Sequence, residues 1–144
     1  MPFNFSPHGL LSIPHLRYKR FWLGVGVLGV LAVIYASIAT IPVEMKKFLI
    51  EDKLMHTVVY ACLMGWFAQI YKHDLARLMF VALFIALGVA MELAQGMVPS
   101  RQFEYLDMVA NTSGVVLAWA LAYTGFGGLL EWFETRCLRS QFKT

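Results

Sequence analysis

Charge is scarce in this sequence. Asp, Glu, Lys and Arg make up 15% of its 144 residues, against about 25% in an ordinary soluble domain. Apolar residues reach 59%, above the roughly 45–50% of soluble chains. One domain of this size has no room to bury so much apolar surface. A bilayer accepts it as lipid-facing surface, so the composition speaks against a soluble globular protein. Cysteine is equally sparse. Cys62 and Cys137 fall in an apolar segment and a basic tail, without metal-ligand spacing. That disfavours both a disulfide framework and a zinc site.

Familiar catalytic signatures are missing too. The chain has no nucleophile motif, no Gly-rich phosphate loop and no paired-histidine zinc motif. Ser100 has no base spaced beside it. Neither an internal repeat nor a low-complexity stretch is present, and neither a cofactor nor a metal is expected. The formal charge is +3, but the basic residues flank apolar runs and form no stripe along a polar helix. They read as topology signals, not as a nucleic-acid footprint.

What is present is a series of apolar segments. Residues 1–16 read as a short surface arm. Arg17, Lys19 and Arg20 then precede the run from Phe21 to Ile41. At about 1.5 Å per residue that run crosses a hydrocarbon core of about 30 Å. It is too long for a signal-peptide core and reads as a retained first helix. Gly24, Gly26 and Gly29 fit either close helix approach or ordinary glycine tolerance. Further helices are expected over 53–71, 78–97 and 107–126, with Lys72, His73, Asp74 and Arg77 in a polar turn and Pro99 opening a loop. From 129 to 140, Leu129, Leu130, Trp132 and Phe133 alternate with Glu131, Glu134, Arg136 and Arg139. That pattern suits an amphipathic helix on the membrane surface. The expected fold is all-α: a polytopic membrane protein, a four-transmembrane-helix bundle with a C-terminal amphipathic helix, in one domain over 1–144.

Four spans place both termini on one side. Arg17, Lys19, Arg20, Lys72, Arg77, Arg136, Arg139 and Lys143 fall there, and Lys46, Lys47, Lys53 and Arg101 fall opposite. The basic excess marks the first side as cytoplasmic.

The same threading gathers polar residues at the outer face. Lys53, His56 and Tyr60 share one helical face at i, i+3 and i+7. Glu92 and Gln95 close the third helix, Arg101 and Glu104 follow in the loop, and Asp107 and Asn111 open the fourth. Asp107 also suits a cap or first-turn position. Ionisable groups inside membrane helices are costly unless paired or hydrated. The cytoplasmic halves look almost bare by comparison, so an outward-facing polar site is expected. Phe103 and Tyr105 suit interfacial anchors, while Trp66 and Trp119 suit lipid-facing or packing positions.

Three blocks carry a resemblance. DKLMHTVVY (Asp52 to Tyr60), ELAQGMVPSR (Glu92 to Arg101) and DMVANTSG (Asp107 to Gly114) occur in order. Together they resemble the VanZ-like family, over about residues 42–118. Ala118 departs from the pattern, where a second glycine often closes the last block. The resemblance implies a small helical membrane protein of the bacterial cell envelope. The family's namesake is associated with resistance to the glycopeptide teicoplanin, and the name supplies no mechanism.

Lys53 and Arg101 suit a phosphate or carboxylate headgroup. His56, Glu92, Asp107 and Asn111 would orient it, with Tyr60 and Gln95 as hydrogen-bonding support. The expected partner is an anionic membrane lipid or lipid-linked envelope precursor. Two alternatives stand beside this one. His56 and Glu92, with Asp107 as a further candidate, would be the acid–base groups of an intramembrane enzyme acting on a lipid headgroup. Or the cluster fixes helix register, Glu92 pairing with Lys53 or Arg101, in a structural helper.

Overall fold

The computed structural model describes residues 11, 13, 15–39, 52–98 and 103–138. Among them the chain is all-α. Helix α1 (Lys19–Ile38), α2 (Asp52–Ile70), α3 (Asp74–Gly96) and α4 (Tyr105–Leu121) are followed by a 3-10 turn (Gly125–Gly128). A short α5 (Leu129–Phe133) then runs into a π-turn (Glu134–Leu138).

Two of these helices, α1 and α3, are long and apolar enough to cross a membrane. A third span is reached if α4 and the segment Gly125–Leu138, bent by 78° at the break, are taken together. Alone, the 17 residues of α4 cover about 25 Å. Phe21, Leu28 and Tyr35 of α1, Leu83 and Leu93 of α3 and Leu117 of α4 are all exposed. A lipid-facing surface requires this arrangement and a soluble protein avoids it.

Helix α2 is less apolar because Lys53, His56, Thr57 and Gln69 interrupt it. Its inner half is largely enclosed, whereas Leu54, Met55 and Val58 near its start are exposed. It packs against α1, α3, α4 and α5, most extensively against α4. Tyr60, Leu63, Met64, Phe67, Ala68 and Ile70 are buried along it. Phe67 stacks on Phe80 at 4.8 Å between ring centres, Tyr71 on Phe80 at 4.9 Å, and Phe67 meets Phe84 edge-on at 5.4 Å. Gly114 lets α4 come close enough that a Cβ there would lie 2.1 Å from the Thr57 carbonyl oxygen. Of the α1 glycines, Gly26 faces Phe67 and Trp66, whereas Gly24 has open space.

Several boundaries differ from the sequence expectation. Helix α3 begins at Asp74, not 78, because the His73 side chain caps it by accepting the Leu75 N–H at 3.3 Å. Arg77 therefore lies inside the first turn of a helix and is buried. Helix α4 stops at Leu121 and the glycines after it form the 3-10 turn. Helix α1 ends at Ile38, capped by the Ala39 N–H on the Tyr35 carbonyl. Ile13 and Leu16 belong to the buried core, so the end of the N-terminal segment is no mere surface arm.

In the C-terminal segment Leu130 is buried, whereas Leu129, Trp132 and Phe133 are exposed. Its polar face is not wholly solvated, because Glu134 is also buried. Residues 139 and 140 of the expected range lie outside the described residues, as do Pro42, Lys46, Lys47 and Lys143.

Candidate functional site

At one end of the bundle the start of α2, the end of α3 and the start of α4 meet. His56 Nδ1 contacts Asn111 Oδ1 at 3.0 Å, and His56 Nε2 lies 3.7 Å from Asp107 Oδ2. Lys53 Nζ lies 3.1 Å from Glu104 Oε2 and 3.9 Å from Asp107 Oδ1. The residues form a gradient of access. Lys53 and Glu104 are about half exposed, His56 less so, and Asp107 and Asn111 are buried.

Glu92 sits deepest, 1% exposed. Its Oε1 accepts the Glu104 N–H at 2.7 Å. Glu104 is the N-cap residue of α4, and its own side chain makes no cap. A carboxylate from α3 thus satisfies a donor at the N-terminus of α4, where the helix dipole favours negative charge. Gln95 and Tyr60 are buried as well.

The structure therefore brings Lys53, His56, Asp107 and Asn111 into one connected group, with Glu92 joined through the backbone of Glu104. Arg101 lies outside the described residues, as does the side chain of Asp52. Glu104 enters the group more centrally than its place in the loop implied. The described charges are one lysine against three carboxylates, His56 apart. Both ring nitrogens of His56 face side-chain oxygens. Among the described residues no group of three or more His, Cys, Asp or Glu could hold a metal ion.

The opposite end corrects the expectation of bare helix halves. The Glu134 carboxylate accepts the backbone N–H groups of Arg17 at 2.8 Å and Tyr18 at 3.0 Å, and the indole N–H of Trp22. It sits on the N-terminus of α1. Arg77 does the converse. Its Nε donates to the Tyr71 carbonyl at 3.0 Å and its Nη2 to the Ala68 carbonyl at 2.9 Å, which closes the C-terminus of α2. The guanidinium also lies 5.1 Å from the centre of the Tyr123 ring, and Tyr123 donates its hydroxyl to Asp74 at 2.9 Å.

Lys72 pairs with Glu131. His15 donates to the Gln69 carbonyl at 3.2 Å, and burial lowers its pKa. A cavity of about 240 Å³ opens among His15, Arg17, Tyr18, Glu134 and Thr135. Because Glu134 holds Arg17, the first and last described parts of the chain meet at this end.

Three buried charges thus share one physical role. Glu92 and Glu134 each serve a helix N-terminus and Arg77 a C-terminus. Sequence reasoning missed two of them. Arg77 was readable in principle, because an unbroken apolar run follows it. Glu134 had no such signal, since it shares its face pattern with the exposed charges of the tail. No family model, curated protein or solved structure matches the chain.

Proposed function

We propose that this chain is a four-span membrane protein of the bacterial inner membrane that recognises the phosphate-bearing headgroup of an anionic lipid or lipid-linked envelope precursor. On this reading α2 is a span whose inner half is enclosed, and α4 with its bent continuation completes the fourth. Both termini are cytoplasmic and the α2–α3–α4 site opens outward. One observation carries it: a half-exposed lysine stands at the rim of a buried polar group, Asp107, Asn111 and Glu92, within an otherwise apolar bundle. Such groups are costly in a membrane protein and mark ligand paths. Lys53 takes the phosphate, with Arg101 as the second cation read from the sequence. The three blocks resembling the VanZ-like family cover the same residues and support the assignment to the cell envelope. A link to glycopeptide resistance rests on that resemblance alone.

The test is mass spectrometry of lipids retained by the full chain purified in mild detergent, beside Lys53→Gln. Phosphate-bearing lipid held by the parent and lost from the variant is the expected result. Equal retention by the two overturns the proposal.

A further inference from the structure

The space between Glu104 and Asp107 is filled by an ammonium, that of Lys53, at 3.1 and 3.9 Å. Lys53 is half exposed on a flexible four-carbon stem. It is the one positive charge among the described side chains of the site, against Glu92, Glu104 and Asp107. A headgroup carrying only negative charge draws Lys53 away and leaves two carboxylates facing each other, one of them buried. Like charges so placed repel strongly. A headgroup that brings its own cation removes that conflict.

A second observation is independent of the carboxylates. The Tyr60 hydroxyl is buried and makes no hydrogen bond among the described residues, and the residue is 3% exposed. The Tyr60 ring lies beside Asn111, which His56 joins to the rest of the site. The ring and Asn111 both adjoin Gly88. A buried hydroxyl without a partner is expensive and asks for a polar group from elsewhere.

We propose that the recognised headgroup joins its phosphate to a primary ammonium. The ammonium takes the place between Glu104 and Asp107 and offers its remaining N–H toward the Tyr60 hydroxyl. Lys53 swings outward to the phosphate. The charges balance, because one ammonium replaces another and the displaced lysine meets the phosphate. This inference rests on the headgroup reading above and adds the identity of the second group.

The experiment is native mass spectrometry of the full chain with equal amounts of phosphatidylethanolamine, phosphatidylcholine and phosphatidylglycerol of matched acyl chains. The first carries a primary ammonium, the second the same charge without N–H donors, and the third a polyol without a cation. Charge-assisted hydrogen bonds predict a preference for phosphatidylethanolamine over phosphatidylcholine of about tenfold. Glu104→Gln and Tyr60→Phe should each reduce that preference several-fold. Glu104 is half exposed and Tyr60→Phe keeps the ring, so the fold survives both, which thermal unfolding checks. Equal binding of the two zwitterionic lipids, or strongest binding of phosphatidylglycerol with dependence on Lys53, overturns the ammonium and leaves the phosphate reading intact. If Lys53→Gln binds all three lipids as the parent does, both readings fall.

Discussion

Gly114→Ala probes how closely α2 and α4 must approach. A Cβ at this position lies 2.1 Å from the Thr57 carbonyl oxygen and 3.0 Å from the Ala61 nitrogen. Ordinary contact begins near 3.4 Å, so the helices must part locally by about 1.3 Å. The atoms met are backbone, so no side-chain change at Thr57 relieves the conflict. Overpacking of this kind costs about 1–3 kcal/mol. Alanine returns about 0.5–1 kcal/mol through helix propensity, so the net loss expected lies between about 0 and 2.5 kcal/mol, centred a little above 1 kcal/mol.

The same parting stretches the 3.0 Å contact of His56 with Asn111, three residues before Gly114. Lipid retention should therefore fall with stability. Gly24→Ala is the control, because nothing lies within 4 Å of a Cβ there. It should be neutral or slightly stabilising. The assay is reversible unfolding of the full chain in one mild detergent. Parental stability in Gly114→Ala, or equal damage from Gly24→Ala, would refute the close-approach argument.

Three further predictions concern the opposite end of the bundle. Arg77→Met strands the Ala68 and Tyr71 carbonyls, which should cost about 1–3 kcal/mol per group in the same unfolding assay. Glu134→Ala removes the acceptor for two backbone N–H groups at the start of α1. Proteolysis should then release the C-terminal helix while α2–α4 stay protected, with Glu134→Gln milder because it keeps one carbonyl acceptor. His15 has its pKa lowered by burial, so its contribution is full above the ordinary value of 6.5 and is lost as pH falls through the lower folded value. Protection of the Ile13, His15 and Leu16 amides, corrected for the intrinsic slowing of exchange in acid, should fall on acidification below about pH 6.5, and His15→Gln should abolish that fall.

Much of the end where α2, α3 and α4 meet was legible because two constraints agree there. Lys53, His56 and Tyr60 share a helical face, and antiparallel threading sets Glu92 and Asp107 at matching depth. Partner choice was not legible. Lys53 meets Glu104 and Asp107 instead of Glu92, because Glu92 is drawn to the N-terminus of α4. The end near the termini was misread for one reason. Arg77 was counted with the charges flanking membrane segments and Glu134 with the polar face of the tail helix, yet both are buried on helix termini. A positional charge count cannot tell a solvated lysine from an arginine closing a helix. Removing Arg77 from the topology count narrows the basic excess. The hydrogen bond from the Arg17 N–H to Glu134 brings the start of α1 and the end of the last described helix to the same end of the bundle.

The claim that the polar site opens on the membrane face opposite the termini is tested most directly by labelling single cysteines in intact cells. In a background carrying Cys62→Ala and Cys137→Ser, Lys53→Cys and Arg136→Cys report the two ends of the bundle, and both positions are exposed. A membrane-impermeant maleimide should label position 53 from outside and position 136 only after permeabilisation. Labelling of both from the same side, or of position 136 alone from outside, would contradict it.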